Sequence, residues 1–212
     1  MTEPSTGPLT RPSYVVLLPV KPPARGKSRL EVDSRRRRDL AAAFALDTAQ
    51  ACLAADQIVS VLAITDDARF ADDLRSAGCE TIPDGVAGDL NESLRQAAAE
   101  ARRRRPDTVP VAVCADLPAL RPADLNAALR DADGDVAFVT DGDGTGTTLY
   151  TAPYESFDPQ FGFRSRAAHR DAGAREIGGD LATLRRDVDD RDALVQAEHL
   201  GVGAHTRLVL LG

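Results

Sequence analysis

The stretch YVVLLPV at residues 14–20 is continuously apolar, and a loop rich in Pro, Gly and Lys follows it at residues 21–29. An unbroken apolar run predicts a strand that is covered on both faces, as in a parallel sheet. Similar runs recur at residues 58–64 and 109–114, residues 79–82 are interpreted as a further strand, and helical patterns lie between these segments. Strands and helices that alternate in this way predict an α/β fold with a single doubly wound, mostly parallel sheet.

The rest of the chain continues the same pattern. We expect helices over residues 34–55, 90–105, 122–130, 164–172 and 191–200, a short helix that ends near residue 77, and strands over residues 136–139, 148–151 and 184–188. The apolar residues 208–211 are interpreted either as an edge strand or as part of a surface that forms a homodimer. Residues 1–12 are polar and predict a disordered lead-in, so residues 13–212 are expected to form one domain.

Composition excludes several classes of protein. The chain has 212 residues, 43% of them hydrophobic, and a formal net charge of −7. A general nucleic-acid binder would usually be basic. The first residues lack the apolar core of a signal peptide, and no apolar run approaches the ~20 residues that span a membrane. We therefore expect a cytoplasmic protein that binds neither nucleic acid nor membrane. The three cysteines, Cys52, Cys79 and Cys114, have no metal-site spacing and are expected to be small buried hydrophobes.

Cations are concentrated directly after the first predicted strand. Ligands of doubly wound sheets bind beyond the carboxyl ends of the strands, so this loop is well placed to hold a triphosphate. Its candidate residues are Lys21, Arg25, Lys27, Ser28 and Arg29. The trio Gly26-Lys27-Ser28 also suggests a P-loop, but that motif requires a first Gly where this chain has Lys21. A solvated basic loop is the remaining alternative.

Acidic residues follow two other segments. Asp116 comes just after the apolar run 109–114, at a position suited to binding Mg²⁺. Asp187 and Asp189 bracket Val188, and residues two apart in an extended segment point to the same side. Together the three carboxylates predict a site for one or two Mg²⁺ ions. Capping of neighbouring helices is the alternative explanation for each of them.

Two further segments are candidates for ligand contact. Gly142, Gly144 and Gly146 precede a predicted strand rather than a helix, which favours a tight strand-to-strand connection over a dinucleotide fingerprint. Residues 158–165 form a loop that places Gly162 and Ser165 near a helix start. His169 follows, and it is interpreted either as a substrate contact or as a structural residue.

These motifs together resemble the 2-phospho-L-lactate or phosphoenolpyruvate guanylyltransferases, which supply the activated side-chain precursor of the deazaflavin coenzyme F-420. The resemblance covers residues 14–202. Its motifs, in order, are Pro19-Val20-Lys21 with Gly26-Lys27-Ser28-Arg29-Leu30, Gly88-Asp89-Leu90-Asn91, Ala115-Asp116-Leu117-Pro118, Gly144-Thr145-Gly146-Thr147, Phe161-Gly162 with Ser165 and His169, and Asp187-Val188-Asp189. Two positions depart from the family's pattern: Asp89 stands where a small or apolar residue is expected, and Arg164 is unusual before Ser165.

The resemblance implies a fold of the nucleotide-diphospho-sugar transferase type and assigns roles to residues. Lys21, Lys27 and Arg29 would contact the GTP phosphates, and Gly88 and Asn91 would lie near the nucleoside. Asp116, Asp187 and Asp189 would be the Mg²⁺ ligands. The acceptor would be held by Thr147, Gly162 and Ser165. Lys21, Lys27 and Asp116 would be the catalytic residues.

The implied reaction is attack of an acceptor phosphate oxygen on the α-phosphorus of GTP, with release of pyrophosphate. A phosphate monoester is already ionised at neutral pH, since its second pKa is near ~6, so no general base is needed. The residues themselves favour neither acid over the other. The Ala-, Arg- and Asp-rich composition resembles actinobacterial members and favours phosphoenolpyruvate, with hand-over of the product to a downstream transferase. A sugar-phosphate nucleotidyltransferase, a P-loop kinase or NTPase, and a non-catalytic nucleotide-binding module are the alternatives.

Overall fold

The computed structural model describes residues 11–20, 30, 32–86 and 88–212. Its centre is one mixed sheet of seven strands. The strands are β1 (Tyr14–Pro19), β2 (Ile58–Ile64), β3 (Glu80–Ile82), β4 (Val109–Val113), β5 (Ala137–Thr140), β6 (Thr147–Thr151) and β7 (Arg175–Glu176). Their order across the sheet is β3-β2-β1-β4-β6-β5-β7. Only β6 runs antiparallel, against both β4 and β5, which confirms the predicted mostly parallel sheet.

Helices connect the strands and cover the sheet. They are α1 (Ser34–Leu53), α2 (Ala68–Ser76), α3 (Leu90–Arg104), α4 (Pro122–Ala132), α5 (Ser165–Asp171), α6 (Ala182–Arg185), α7 (Arg191–Leu200) and α8 (Ala204–Leu211). A short 3₁₀ turn spans Tyr154–Ser156. No helix among the described residues is both long enough and apolar enough to cross a bilayer.

The strand β1 shows why its sequence is apolar throughout. Tyr14, Val16 and Leu18 point into a core that also contains the buried sides of α1 and α4. Val15 and Leu17 point the other way, into a second core that contains the buried side of α3. Successive side chains of a strand point to opposite faces, so a strand with helices on both faces needs an apolar residue at every position.

One sequence-based prediction of secondary structure was wrong, one of two alternatives is excluded for a second segment, and one strand was missed. Residues 184–188 do not form a strand, because Leu181 and Leu184 are three residues apart and pack into the first core from a single helical turn, α6. The apolar residues 208–211 belong to α8 rather than to an edge strand. The missed strand, β7, has only two residues, neither of them apolar.

The cysteines and the chain start can be compared with their predictions. All three cysteines are free; Cys52 and Cys79 are buried and Cys114 is partly buried. Burial raises the pKa of the Cys52 thiol, and it raises that of Cys79 to about 11. Of the predicted lead-in, residues 1–10 lie outside the described residues, and the Pro12 carbonyl accepts a hydrogen bond of 3.0 Å from Gln57 Nε2.

A buried carboxylate on α1 holds the start of α8. The Asp47 side chain is 6% exposed and accepts hydrogen bonds from the backbone N–H groups of His205 (3.0 Å) and Thr206 (2.8 Å). These amides are among the donors that a helix start leaves without an intrahelical partner. A Cβ atom at Gly203 would come within 2.3 Å of the Asp47 carboxyl carbon, so the approach requires glycine there.

We expect Asp47→Ala to lower the free energy of unfolding by about 1–2 kcal/mol, because two buried helix-start amides lose their acceptor. Urea denaturation followed by circular dichroism measures this loss. The control is Asp39→Ala, since Asp39 is an exposed aspartate of the same helix and its loss should change stability by less than about 0.5 kcal/mol. Equal losses in the two variants would contradict the capping role.

Candidate functional site

The strand order defines a reversal point between β1 and β4. From β1 the chain continues through α1 to β2, on the side away from β4, and from β4 it continues through α4 to β5, on the side away from β1. Ligands of such sheets bind in the crevice beyond the carboxyl ends of the strands at this point. We call this border of the sheet the carboxyl edge. Because β6 is antiparallel, its first residue, Thr147, also lies there.

Asp116 meets the segment of Asp187 and Asp189 at the carboxyl edge. The Val188 backbone N–H donates a hydrogen bond of 3.0 Å to the Asp116 carbonyl oxygen. Val188 is 0% exposed and packs in a third core, with Leu40 and Phe44 of α1. The structure therefore joins Asp116 to two acidic residues that come much later in the sequence.

The side chains of these residues differ in exposure. Asp116 and Asp187 are partly buried, whereas Asp189 is exposed. Within the described part of the chain, no group of three or more His, Cys, Asp or Glu side chains is arranged to hold a metal ion. The backbone contact thus keeps the three acidic residues at the same part of the carboxyl edge. The metal site stays a prediction.

Hydrogen bonds of Arg185 hold the segment before Asp187 in place, and the sequence analysis did not identify this residue. Its Nη1 donates to the Thr140 carbonyl at 3.0 Å and its Nη2 to the Ile177 carbonyl at 2.9 Å, which are located at the ends of β5 and β7. The Arg185 carbonyl in turn accepts from the N–H groups of Gly142 (2.7 Å) and Asp187 (3.2 Å). One arginine therefore fixes the approach of the chain to Asp187. The sequence contains no signal for this role, because the partners are carbonyl groups.

Thr147 and Ser165 meet around the ring of His169. The Thr147 hydroxyl lies 3.0 Å from His169 Nδ1, and the Ser165 carbonyl oxygen lies 2.9 Å from the same nitrogen. The imidazole is 0% exposed and stacks on Tyr150, with 4.7 Å between ring centroids and 24° between ring planes. Phe138 stacks on it at 5.5 Å. Of the two interpretations of His169, the contacts support the structural one.

The hydrogen bonds of His169 define its protonation state. The Gln160 backbone N–H donates to Nε2 at 2.9 Å, so Nε2 is without a proton and Nδ1 carries it. Nδ1–H can then donate to the Ser165 carbonyl, which only accepts. Burial lowers the pKa of His169 from its ordinary value of 6.5 to about 4, and the hydrogen bond to Ser165 opposes this change only in part.

The loop that carries Gly162 is fastened to the start of α3. Asn91 Nδ2 donates to the Phe161 carbonyl at 2.9 Å, and the Phe161 N–H donates to Asn91 Oδ1 at 2.8 Å. Asn91 was predicted to lie near a nucleoside and Gly162 near an acceptor. The paired hydrogen bonds bring these two predicted positions to neighbouring places in the fold.

One of the two departures from the family pattern, Asp89, has a local explanation. Asp89 is the N-cap of α3, where its side chain accepts from the Glu92 N–H at 3.0 Å. Gly88, just before it, is exposed and has a φ of +91°, a conformation that glycine adopts without strain. Arg164 has a φ of 56°, which is uncommon for a residue with a Cβ atom.

The three alternate glycines form a strand-to-strand connection, as predicted. Asp141, directly after β5, accepts from the backbone N–H groups of Thr145 (2.9 Å) and Gly146 (2.7 Å) and so closes the turn into β6. A Cβ atom at Gly146 would lie 2.3 Å from Asp141 Oδ2, so the closure requires glycine. The connection brings Thr147 to the carboxyl edge, where its carbonyl lies 3.4 Å from Cys114 Sγ.

The described site residues form a continuous path. Asp116 is two residues from Cys114, which contacts Thr147; Thr147 and Ser165 meet at His169, and Asn91 is bonded next to Gly162. The predicted phosphate-binding residues Lys21, Lys27 and Arg29, together with Arg25 and Ser28, lie outside the described residues. Their roles stay predictions.

Comparison with known proteins gives a family and a fold. The family model described as "Guanylyl transferase CofC like" matches residues 14–194. A phosphoenolpyruvate guanylyltransferase from Thermomonospora curvata is 44% identical over 198 residues, an alignment that covers 92% of this chain and 87% of the relative.

Two solved structures share the fold. One is a protein from Desulfovibrio desulfuricans G20 described as a nucleotide-diphospho-sugar transferase, with a TM-score of 0.62 and 18% identity over 89% of this chain and 96% of the other. The second is Rv0371c from Mycobacterium tuberculosis H37Rv in complex with manganese, with a TM-score of 0.52 and 20% identity over 89% of this chain and 98% of the other. The predicted type of fold is confirmed.

The lowered pKa of His169 predicts a loss of stability in acid. A histidine that titrates near ~6.5 in the unfolded chain and near 4 in the folded protein contributes its full stability above pH ~6.5 and loses it as pH falls toward 4. Between pH 7 and pH 5, wild-type protein should therefore lose about 1–2 kcal/mol more unfolding free energy than His169→Gln.

Urea denaturation at the two pH values measures this difference. His199→Gln is the control, because His199 is exposed on α7 and its replacement should leave the wild-type pH dependence unchanged. If His169→Gln retained the full loss between pH 7 and pH 5, the neutral, buried imidazole would be the wrong description.

Proposed function

The chain belongs to the family of CofC-like guanylyl transferases, and on that basis we propose that it transfers GMP from GTP to phosphoenolpyruvate with release of pyrophosphate. The observation that carries the choice of acceptor is the 44% identity to a phosphoenolpyruvate guanylyltransferase over 92% of this chain. The product would be enolpyruvoyl-diphospho-guanosine. We assign it to coenzyme F-420 synthesis, where a downstream transferase would take it up.

We propose that the carboxylates of Asp116, Asp187 and Asp189 hold Mg²⁺. Oxygen ligands suit this hard cation, and the hydrogen bond between Val188 and Asp116 supports a shared site because it keeps the three residues together at the carboxyl edge. When bound, the ion would neutralise phosphate charge and make the α-phosphorus more electrophilic. The manganese complex of Rv0371c, which shares the fold, is consistent with a divalent ion in proteins of this architecture.

The chain's own cations and hydroxyls would align the two reactants. We propose that Lys21, Lys27 and Arg29 bind the triphosphate and that Gly88 and Asn91 lie along the nucleoside. Thr147, Gly162 and Ser165 would hold the acceptor. The hydrogen-bonded pair of Asn91 and Phe161 supports this division, because it fixes the nucleoside side of the site against the acceptor side.

The displacement needs no proton acceptor from the protein. An acceptor phosphate oxygen forms a bond to the α-phosphorus as the α–β bridging P–O bond breaks, and pyrophosphate leaves with that electron pair. The acceptor phosphate is already ionised at neutral pH. His169 supports this mechanism, since both of its ring nitrogens are engaged and burial lowers its pKa to about 4.

We expect Asp116→Asn to lower kcat for pyrophosphate release by roughly 10³-fold, because removal of one anionic ligand weakens stabilisation of the transition-state charge by several kcal/mol. Asp192→Asn is the control: Asp192 is exposed in the first turn of α7, close to Asp189 in sequence, and has no assigned role. Activity that survives Asp116→Asn would remove Asp116 from the metal site, provided that both variants retain the wild-type melting temperature.

A substrate comparison tests the activity itself. Wild-type protein is incubated with GTP and Mg²⁺ and, in separate reactions, phosphoenolpyruvate, 2-phospho-L-lactate or a hexose 1-phosphate. We expect pyrophosphate release and a product of the mass of enolpyruvoyl-diphospho-guanosine with phosphoenolpyruvate, and loss of turnover with a chelator. Faster turnover with 2-phospho-L-lactate would assign the other acid, and turnover only with the hexose phosphate would refute the proposal.

A further inference from the structure

An open groove of about 300 Å³ lies between the β5–β6 turn and the outer face of α5. Gly144 and Thr145 line one side of the groove, and the other side is lined by Arg164, Arg166 and Arg170. We call it the arginine groove. Nothing in the proposed GMP transfer uses these side chains.

The proposed acceptor residue of α5, Ser165, does not line the arginine groove. Ser165 is 3% exposed and His169 is 0% exposed, and both contact the interior next to Thr147. Arg166 and Arg170 are four residues apart and therefore lie on one face of α5, and Arg164 and Arg170 are exposed. The groove is therefore lined by a face of α5 other than the one that carries Ser165 and His169.

Arg166 is held in position as part of the groove wall. Its Nη1 donates to the Gly144 carbonyl at 3.0 Å, and its Nε donates to Glu176 at 3.2 Å. Its backbone N–H also donates to the Thr145 carbonyl at 3.2 Å. These contacts fix a guanidinium between helix and turn before any ligand arrives, which lowers the entropic cost of binding.

The groove carries more positive than negative charge. Glu176 is shared by Arg166 and by Arg170, whose Nη2 lies 3.8 Å away, and Asp171 is the other acid along the groove. Arg164 makes no side-chain hydrogen bond or ion pair within the described ranges. Three guanidinium groups thus face two carboxylates, in a protein whose formal net charge is −7.

The backbone at Arg164 points to a ligand as well. Its φ of 56° is a conformation that glycine adopts readily and that costs a residue with a Cβ atom free energy. Strained residues of this kind concentrate at ligand-binding sites. Here the strain leaves a guanidinium exposed at the rim of the groove.

We propose that the arginine groove binds a compact, multiply charged phosphate anion, of the class of inorganic phosphate and pyrophosphate. Guanidinium groups bind phosphate oxygens in a forked, bidentate geometry, and guanidinium groups on one wall suit an anion whose charge is spread over several oxygens. A volume of about 300 Å³ is at the small end for ligand sites, which suits such an anion better than a whole nucleotide.

Backbone NMR of the ¹⁵N-labelled full chain tests this proposal, with phosphate and pyrophosphate titrated separately in the absence of GTP, acceptor and metal. We expect saturable shifts of the amide signals of Thr145, Ala167 and Asp171. Neither GTP nor the acceptor is present, and signals at the groove are scored apart from those at the carboxyl edge, where pyrophosphate could bind as a product, so the result does not depend on the proposed activity. The anion with the smaller dissociation constant, phosphate or pyrophosphate, is the one that the groove prefers.

Two variants and one control locate the binding. Arg164→Gly removes a guanidinium but retains the backbone conformation, so its melting temperature should equal or exceed that of wild type. Arg170→Gln removes a second guanidinium group. Each should raise the dissociation constant about tenfold, as expected for loss of one charge-assisted contact. Arg130→Gln, at the exposed end of α4, should leave it unchanged.

Three results would overturn the proposal. The first is the absence of saturable shifts at the groove with both anions. The second is an equal change with sodium chloride at the same ionic strength, which would indicate screening rather than binding. The third is binding that Arg164→Gly and Arg170→Gln leave intact, or that shifts only residues at the carboxyl edge.

Discussion

The hydrogen bond from the Val188 N–H to the Asp116 carbonyl is the contact on which the arrangement of the acidic residues depends. It joins the end of the central strand β4 to a segment much later in the chain, and Val188 is completely buried on one side of that join. With Val188 directed into the core, the residues on either side of it remain available to the carboxyl edge. Arg185 reinforces the join because it spans the ends of β5 and β7. The acids are thus positioned by backbone contacts, which a change of ligand would not disturb.

The proposed acceptor residues are positioned by a buried histidine ring. Around His169, hydrogen bonds and stacked rings connect β6, the loop at Gln160 and the start of α5. This packing explains why a titratable side chain so close to a proposed reaction centre is unsuited to proton transfer. Burial stabilises the neutral ring, and the two ring nitrogens orient Ser165 and the Gln160 backbone. The residue positions other groups rather than reacting itself.

Sequence reasoning succeeded where burial on two faces dictates the residue types. The runs that became β1, β2 and β4 are apolar at nearly every position, so their assignment needs no knowledge of distant contacts. It failed where a contact with a residue far away in the sequence determines the local structure. Residues 208–211 are helical in part because Asp47 caps α8 from another helix, and the polar, two-residue β7 gives no pattern to detect. A similar division applies to the candidate site: the prediction for Asp116 rests on its place after an apolar run and that for Thr147 on the family resemblance, whereas Arg185 and Arg166 act through carbonyl groups that no motif reveals.

The paired contact of Asn91 and Phe161 restricts which residues can occupy position 91. The carboxamide offers one donor and one acceptor in the plane of a peptide group, so it pairs with Phe161 much as a neighbouring strand would. An aspartate has the same shape, but one of its carboxylate oxygens would face the Phe161 carbonyl oxygen and repel it. A leucine would leave both the N–H and the carbonyl of Phe161 without these hydrogen bonds. Glutamine has the right groups on a stem one carbon too long. Related sequences should therefore have fewer residue types at position 91 than at ordinary surface-loop positions, even if the residue never contacted a ligand.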